Sequence, residues 1–355
     1  MDLQNPLKLA ENRVWRIYLG GKLLDEFRGC DGTDGYFPED WLASVVSANN
    51  PPRPDTPERE GLSRTVNGEY LKDIIDNDPE KCLGKDHIQK HGEHFGVLTK
   101  FLDSAERLPI QVHPDKNAAR TLFNSEYGKT EAWYILDGRT INGEEPYILL
   151  GFKEDVTEEQ LHKLFDEQDI AGMAALMHKV PVKSGDIFLI TGGTPHAIGP
   201  GCFLLEIQEP TDYTISLEKC NTLGEKLPDF LCHMGIGFDN MFKCFNYINY
   251  SLQDLLKNFN LQPQVLKDCE EYCLTKLIGY EATPCFSLQR LDVKKSFTRH
   301  YDTVRPSALV CIAGEGVIGG NAIKKGDCMF VPAAADCIEF TTENGITVLE
   351  CLPPC

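Results

Sequence analysis

Residues 185–196 read Gly-Asp-Ile-Phe-Leu-Ile-Thr-Gly-Gly-Thr-Pro-His, and this stretch decides the fold. Gly185 makes a turn, Asp186–Ile190 forms an apolar strand, a second turn follows at Gly193, and His196 stands eleven residues after Gly185. The design returns near the C-terminus with Gly326, a strand at Asp327–Val331, a tight turn through Pro332 and Ala334, and Cys337 eleven residues on. Two copies of glycine turn, strand and tight turn imply that one barrel topology is repeated. The repeat does not extend to chemistry. Cys337 replaces His196, and around Cys311–Gly320 nothing matches the Gln111-Val112-His113 of the first half.

Outward from these stretches, short strands are expected at Val97–Leu102, Pro109–His113, Ala132–Leu136, Tyr147–Phe152 and Phe203–Gln208, with Gly, Asp and Pro turns between them. A helical hairpin at 157–178 interrupts them, opening on a Thr157-x-x-Gln160 capping box. A second set of strands is expected at Phe286–Val293, Ala308–Ala313, Cys328–Val331, Ile338–Phe340 and Thr347–Cys351. Between the sets, from about 222 to 280, the pattern is helical, with Leu252, Leu255, Leu256 and Phe259 forming a stripe behind a Ser251 cap. At the N-terminus, residues 12–28 read as a β-hairpin around Gly20-Gly21 and Asp40–Val46 as a short helix. Further helices are expected near Gly68–Asp76 and Pro79–Leu83, and His87, His91 and His94 fall on a solvated helix or loop. The predicted fold is mainly β. An N-terminal hairpin and helical region spans 1–96, a metal-binding barrel 97–221, a helical linking segment 222–280, and a degenerate barrel without ligands 281–355.

Composition narrows the function. With 35 Lys plus Arg against 54 Asp plus Glu, the net charge is −19, a surface that repels nucleic acid and anionic membranes. The fourteen cysteines are scattered without a CxxC pair; only Cys269 with Cys273, spaced as on adjacent helical turns, and Cys351 with Cys355 come close. No secretory start and no apolar run near eighteen residues is present, so a cytoplasmic protein with reduced thiols is expected, most of them small core hydrophobes. A monomer or homodimer acting on a small molecule fits this composition.

On a strand, the two-residue period points Gln111 and His113 to one face, where both can reach one metal ion. Glu131, in Lys129-Thr130-Glu131-Ala132-Trp133, and His196 offer a carboxylate and a second imidazole. Two histidines, a carboxylate and an amide suit zinc and leave room for substrate or water. The same period puts Glu206 and Gln208 on one face, making Glu206 a candidate base; Asp212, which follows in the same run, is a further candidate catalytic residue for which a turn cap is the simpler account.

Short motifs that bring histidines and a glutamate into a barrel mouth are the pattern of a cupin, a jelly-roll-like barrel. The combination of QVHPDK, KTEAWYIL and GGTPHAIGPGCFLLEIQEPTDYT resembles the type I mannose-6-phosphate isomerase family, from the NRVWRIYLGGKLLDEF start to the degenerate second cupin. That resemblance implies one zinc ion per chain held by Gln111, His113, Glu131 and His196. It also implies a sugar phosphate substrate and a cavity lined by Lys100 and Lys129. The activity it implies, interconversion of mannose 6-phosphate and fructose 6-phosphate through an enediol, needs a base and a stabilised oxyanion. Many members carry an active-site arginine four residues after the aspartate; here that position is Ser216, and no arginine occurs from Asn142 to Gln289. A hydroxyl supplies neither a fixed charge nor a bidentate fork. A non-catalytic sugar-binding cupin and an isomerase for another sugar therefore stand beside the leading expectation, and an iron site would use a similar ligand set.

Overall fold

The computed structural model describes residues 2–221, 224, 226–301 and 304–355, so the expected boundary at 222 falls outside the described residues. Three antiparallel sheets build the fold, which is mainly β with two barrels. The first barrel closes a six-stranded sheet, ordered 13–14, 39–42, 98–103, 202–208, 131–138 and 187–190, over a five-stranded one, ordered 215–216, 111–112, 196–198, 147–152 and 177–181. Trp133, Ile135 and Leu204 from one sheet meet Ile148, Leu150 and Ile198 from the other in a common core. The second barrel is a ten-stranded sheet organised on the long strand Ser307–Ile318. The N-terminal half of that strand pairs with 328–331 and 346–352, the C-terminal half with 321–324 and 337–341.

Period-two alternation explains how the barrels join. Phe101, Ala132, Tyr134, Leu205 and Ile207 point out of the first barrel and share one core with Ala308, Val310, Leu349 and Cys351 of the second. Strands buried on both faces read as apolar runs, which is why Tyr147–Phe152 and Cys328–Val331 begin and end where the sequence puts them. The Thr157 capping box and the Ser251 cap are both present. Eight of the fourteen free cysteines are buried.

The repeat is visible in hydrogen bonds. In each barrel a Lys-x-Gly-Asp turn places its glycine at φ +93° (Gly185 and Gly326), a conformation that favours glycine. The aspartate carboxylate accepts the lysine N–H at 2.9 Å in both turns, Asp186 from Lys183 and Asp327 from Lys324.

Several local expectations are corrected. Residues 12–28 are not a hairpin: Arg13–Val14 is a strand and Lys22–Phe27 a helix. The cause is long-range, since Asp103 accepts the N–H groups of Gly21 and Leu23 at 2.8 and 2.7 Å and caps the helix from another strand. Gly20 lies so close to the Asp103 carbonyl that a Cβ would meet it at 1.9 Å. Residues 40–46 are not helical, because Glu39–Leu42 adds as a strand beside 98–103. The helical pattern after 222 ends at Phe259; Gln264–Asp268 and Tyr272–Ile278 are strands, so Cys269 and Cys273 do not share a helix face. His87 is buried on the helix Lys85–His91, with its Nε2 2.7 Å from the His94 carbonyl.

Candidate metal centre and its cavity

Gln111, His113, Glu131 and His196 are brought together by strand register. His196, first residue of its strand, lies directly opposite Gln111, and Glu131, first residue of the strand 131–138, projects from the facing sheet. His113 Nε2 lies 3.1 Å from one Glu131 oxygen and His196 Nε2 3.4 Å from the other. Ligand atoms of these three buried residues all fall within 4.8 Å of one another, and Gln111 Nε2 is 3.3 Å from His196 Nε2.

This donor set fits a divalent cation. Both Glu131 oxygens are buried without a hydrogen-bond partner of proper geometry, an arrangement that a bound cation satisfies. His196 Nδ1 sits 2.9 Å from the Thr194 carbonyl; donating there fixes the tautomer and leaves Nε2 free as a ligand. Burial, reinforced by the Lys129 ammonium, pushes His113 down to about 3, and burial also lowers His196; both shifts favour the neutral imidazole that ligates a metal. Burial acts to raise Glu131, but Lys129 and His113 outweigh it and hold the carboxylate well below its usual range. Mixed nitrogen and oxygen ligands accept zinc, and iron as well.

The remaining predicted residues are buried beside this centre. Lys129 Nζ lies 2.8 Å from His113 Nε2 and 3.0 Å from Glu131. Lys100 and Glu206 are cross-strand neighbours joined at 3.0 Å, and Trp133 Nε1 donates to the other Glu206 oxygen at 3.1 Å. Neither lysine is solvated. Lys100, Lys129, Gln111, Glu206, Asp212 and Ser216 all line one cavity, whose apolar wall includes Leu227, Leu231 and Met234.

Asp212 is not a turn cap. Its carboxylate takes both terminal nitrogens of Arg16, at 2.9 and 3.2 Å, and the Asn49 N–H at 2.8 Å. Burial would raise it, yet Arg16 and Lys100 bring it down to about 2. Ser216 uses its hydroxyl within its own loop, donating to the Glu218 carbonyl and accepting the Glu218 N–H, both at 3.1 Å. Lys219 lies over the Phe165 ring at 4.2 Å.

Two cavity residues escaped the sequence reading, Arg16 and Glu39. Arg16 Nε is 3.0 Å from Glu39, which accepts Tyr18 Oη at 2.6 Å and Trp41 Nε1 at 2.7 Å. Arg16 and Asp212 are 196 residues apart, beyond any local spacing rule. The available signal was an acidic pair, Glu39-Asp40, inside a strand whose four residues are all buried.

Comparison with known proteins agrees with this architecture. Residues 57–133, which carry Gln111, His113 and Glu131, match the model of the phosphomannose isomerase type I catalytic domain. The chain is 32% identical over 173 residues to the probable mannose-6-phosphate isomerase GmuF of Bacillus subtilis, covering 47% of this chain and 51% of that one. It is 32% identical over 216 residues to the mannose-6-phosphate isomerase of Streptococcus mutans, covering 60% of each. The matched stretches thus span about half the length of these relatives. Among solved structures, the mannose 6-phosphate isomerase of Bacillus subtilis superposes with a TM-score of 0.73 at 21% identity, covering 98% of this chain and 99% of that one. A putative mannosephosphate isomerase from Archaeoglobus fulgidus gives 0.71 at 19% identity, with full coverage of both, 100% each. Among the described residues no helix is long and apolar enough to cross a membrane. Over residues 57–133, which supply three of the four candidate ligands, the chain is similar in sequence to the phosphomannose isomerase type I catalytic domain, and along nearly its whole length it shares the fold of the mannose 6-phosphate isomerase of Bacillus subtilis.

Proposed function

We propose that the chain is a zinc-dependent aldose–ketose isomerase that interconverts mannose 6-phosphate and fructose 6-phosphate. The observation that carries this reading is the convergence of His113, Glu131 and His196 behind a cavity that presents their neighbours Gln111 and Lys129 together with Lys100 and Glu206. Gln111, His113, Glu131 and His196 would hold the metal, which when bound supplies Lewis-acid polarisation of a substrate oxygen.

The chain's own groups suit the proton transfer. Moving a proton between adjacent carbons needs an acceptor fixed in a water-poor cavity. Glu206 Oε1, held by Lys100 Nζ at 3.0 Å, is that acceptor, and Lys100 can return a proton to an oxygen as charge develops there. Lys129 places a second ammonium beside Glu131, where it draws anionic oxygens of the substrate toward the centre. Asp212 acts through Arg16 and Asn49, fixing the loop after the strand 202–208.

Ser216 favours a second reading, an isomerase for a different sugar, because a small hydroxyl tied to its own loop leaves more room than a long cation. One assay separates the readings. Metal-loaded protein is incubated with mannose 6-phosphate and with other hexose and pentose phosphates, and ketose formation is followed. Fructose 6-phosphate production supports the main reading, turnover of another sugar alone moves the assignment to it, and no turnover with any aldose removes both.

A further inference from the structure

Arg16 is a charged side chain in the cavity wall that no motif assigns, and its hydrogen bonds are unevenly spent. Its Nη1 donates to Asp212 at 3.2 Å and to Asn50 Oδ1 at 3.2 Å, and its Nη2 donates to the other Asp212 oxygen at 2.9 Å. The Nε lies 3.0 Å from Glu39 without hydrogen-bond alignment. An Nη2 hydrogen is left over on a residue that lines the cavity. The group is also rigid: the Trp41 ring centroid lies 5.0 Å from its Cζ, and Asp212 is itself anchored by the Asn49 N–H.

Resting on the isomerase reading, we propose that Arg16 is a substrate-binding residue whose fixed guanidinium donates to a hydroxyl or carbonyl oxygen of the sugar. Charge decides against the phosphate. Asp212 and Glu39 already neutralise the guanidinium, and a dianion placed there would face both carboxylates. An uncharged sugar oxygen meets no such repulsion and gains a donor whose position is set before binding. The Ser216 hydroxyl, which lines the same cavity, is committed to Glu218.

The test is steady-state kinetics of metal-loaded wild-type, Arg16→Lys and Arg16→Gln proteins on mannose 6-phosphate, with inorganic phosphate as a competitive probe. Thermal midpoint and metal content are measured on each. A lysine keeps the charge facing Asp212 but loses the planar fork. Arg16→Lys is therefore expected to retain its midpoint and metal while kcat/KM falls by roughly 10- to 100-fold, the range for losing a charged hydrogen bond. The inhibition constant of inorganic phosphate is expected to stay within about twofold of wild type. A folded, metal-replete Arg16→Lys with wild-type kcat/KM overturns the assignment, and so does a phosphate constant that rises as much as KM. Arg16→Gln failing to fold leaves Arg16→Lys to carry the result. A wild type inactive on mannose 6-phosphate overturns the parent reading and the Arg16 role together, and the wild-type rate tells that failure apart from the others.

Discussion

Glu131 and Ser307 occupy the same place in the two barrels. Glu131 pairs with Ile190, four residues past Asp186; Ser307 pairs with Val331, four residues past Asp327. The register carries on around the sheet, so that Glu206 opposite Lys100 and Trp133 corresponds to Glu350 opposite Gln289 and Leu309. What differs is the interior. In the first barrel these inward positions hold an imidazole–carboxylate cluster and a buried Lys100–Glu206 pair. In the second they are filled by Leu291, Leu309, Met329, Phe340 and Val348, while Glu350 accepts a hydrogen bond from Ser307 Oγ at 3.1 Å and pairs with the Arg299 guanidinium at 2.8 Å. Buried ions cost several kcal/mol each in desolvation unless well paired, whereas packed aliphatics stabilise. One barrel topology thus surrounds a buried ligand cluster in the first copy and a packed apolar interior in the second.

The sharpest way to break this contrast is Glu131→Gln, which removes charge at the centre of the ligand cluster. Metal content should fall to background and kcat/KM by at least about 100-fold, several kcal/mol of transition-state stabilisation, with the second barrel's folding unchanged. Glu350→Ala should do the reverse. It leaves the half-buried Arg299 without its carboxylate and is expected to lower unfolding stability by about 3 kcal/mol in urea titrations, the low end for breaking a buried pair, with metal stoichiometry retained.

A third prediction compares Asp103 with Asp292, which share a register position. Asp103 is buried and capped by backbone donors, and burial pushes it up to about 6. Its native pKa is above the ordinary value of 3.8, so its contribution is full below about pH 4 and is lost as pH rises through about 6. Unfolding free energy should drop by up to about 3 kcal/mol from this group between pH 4 and pH 7, and Asp103→Asn should remove that slope. The smallest effect is expected at Cys337, the exposed counterpart of His196. Cys337→Ser should shift stability by no more than about 0.5 kcal/mol and leave metal content unchanged.

The contrast between barrels was largely legible in the sequence, because glycine turns, buried strands and ligand spacing are local. Gln111, His113, Glu131 and His196 meet as expected, and Gln111, Lys100, Lys129, Glu206, Asp212 and Ser216 line one cavity beside them. What was not legible depends on distant partners. The helix at 22–27 needs Asp103 as its cap, the strand at 39–42 needs the edge of 98–103, and Arg16 needs Asp212. The hairpin at 264–278 was read as helix because the strand 264–268 is exposed throughout, so no inward-facing alternation marked it.

On the proposed function, the first barrel holds one catalytic divalent metal and the second none. The most direct measurement is metal stoichiometry alongside mannose 6-phosphate turnover, on protein as purified, after chelation and after zinc is restored. The expected result is one ion per chain, loss of turnover on chelation, recovery with zinc, and neither binding nor turnover in Glu131→Gln. Turnover that persists in the metal-free protein, or an ion still bound with full stoichiometry in Glu131→Gln, would contradict it.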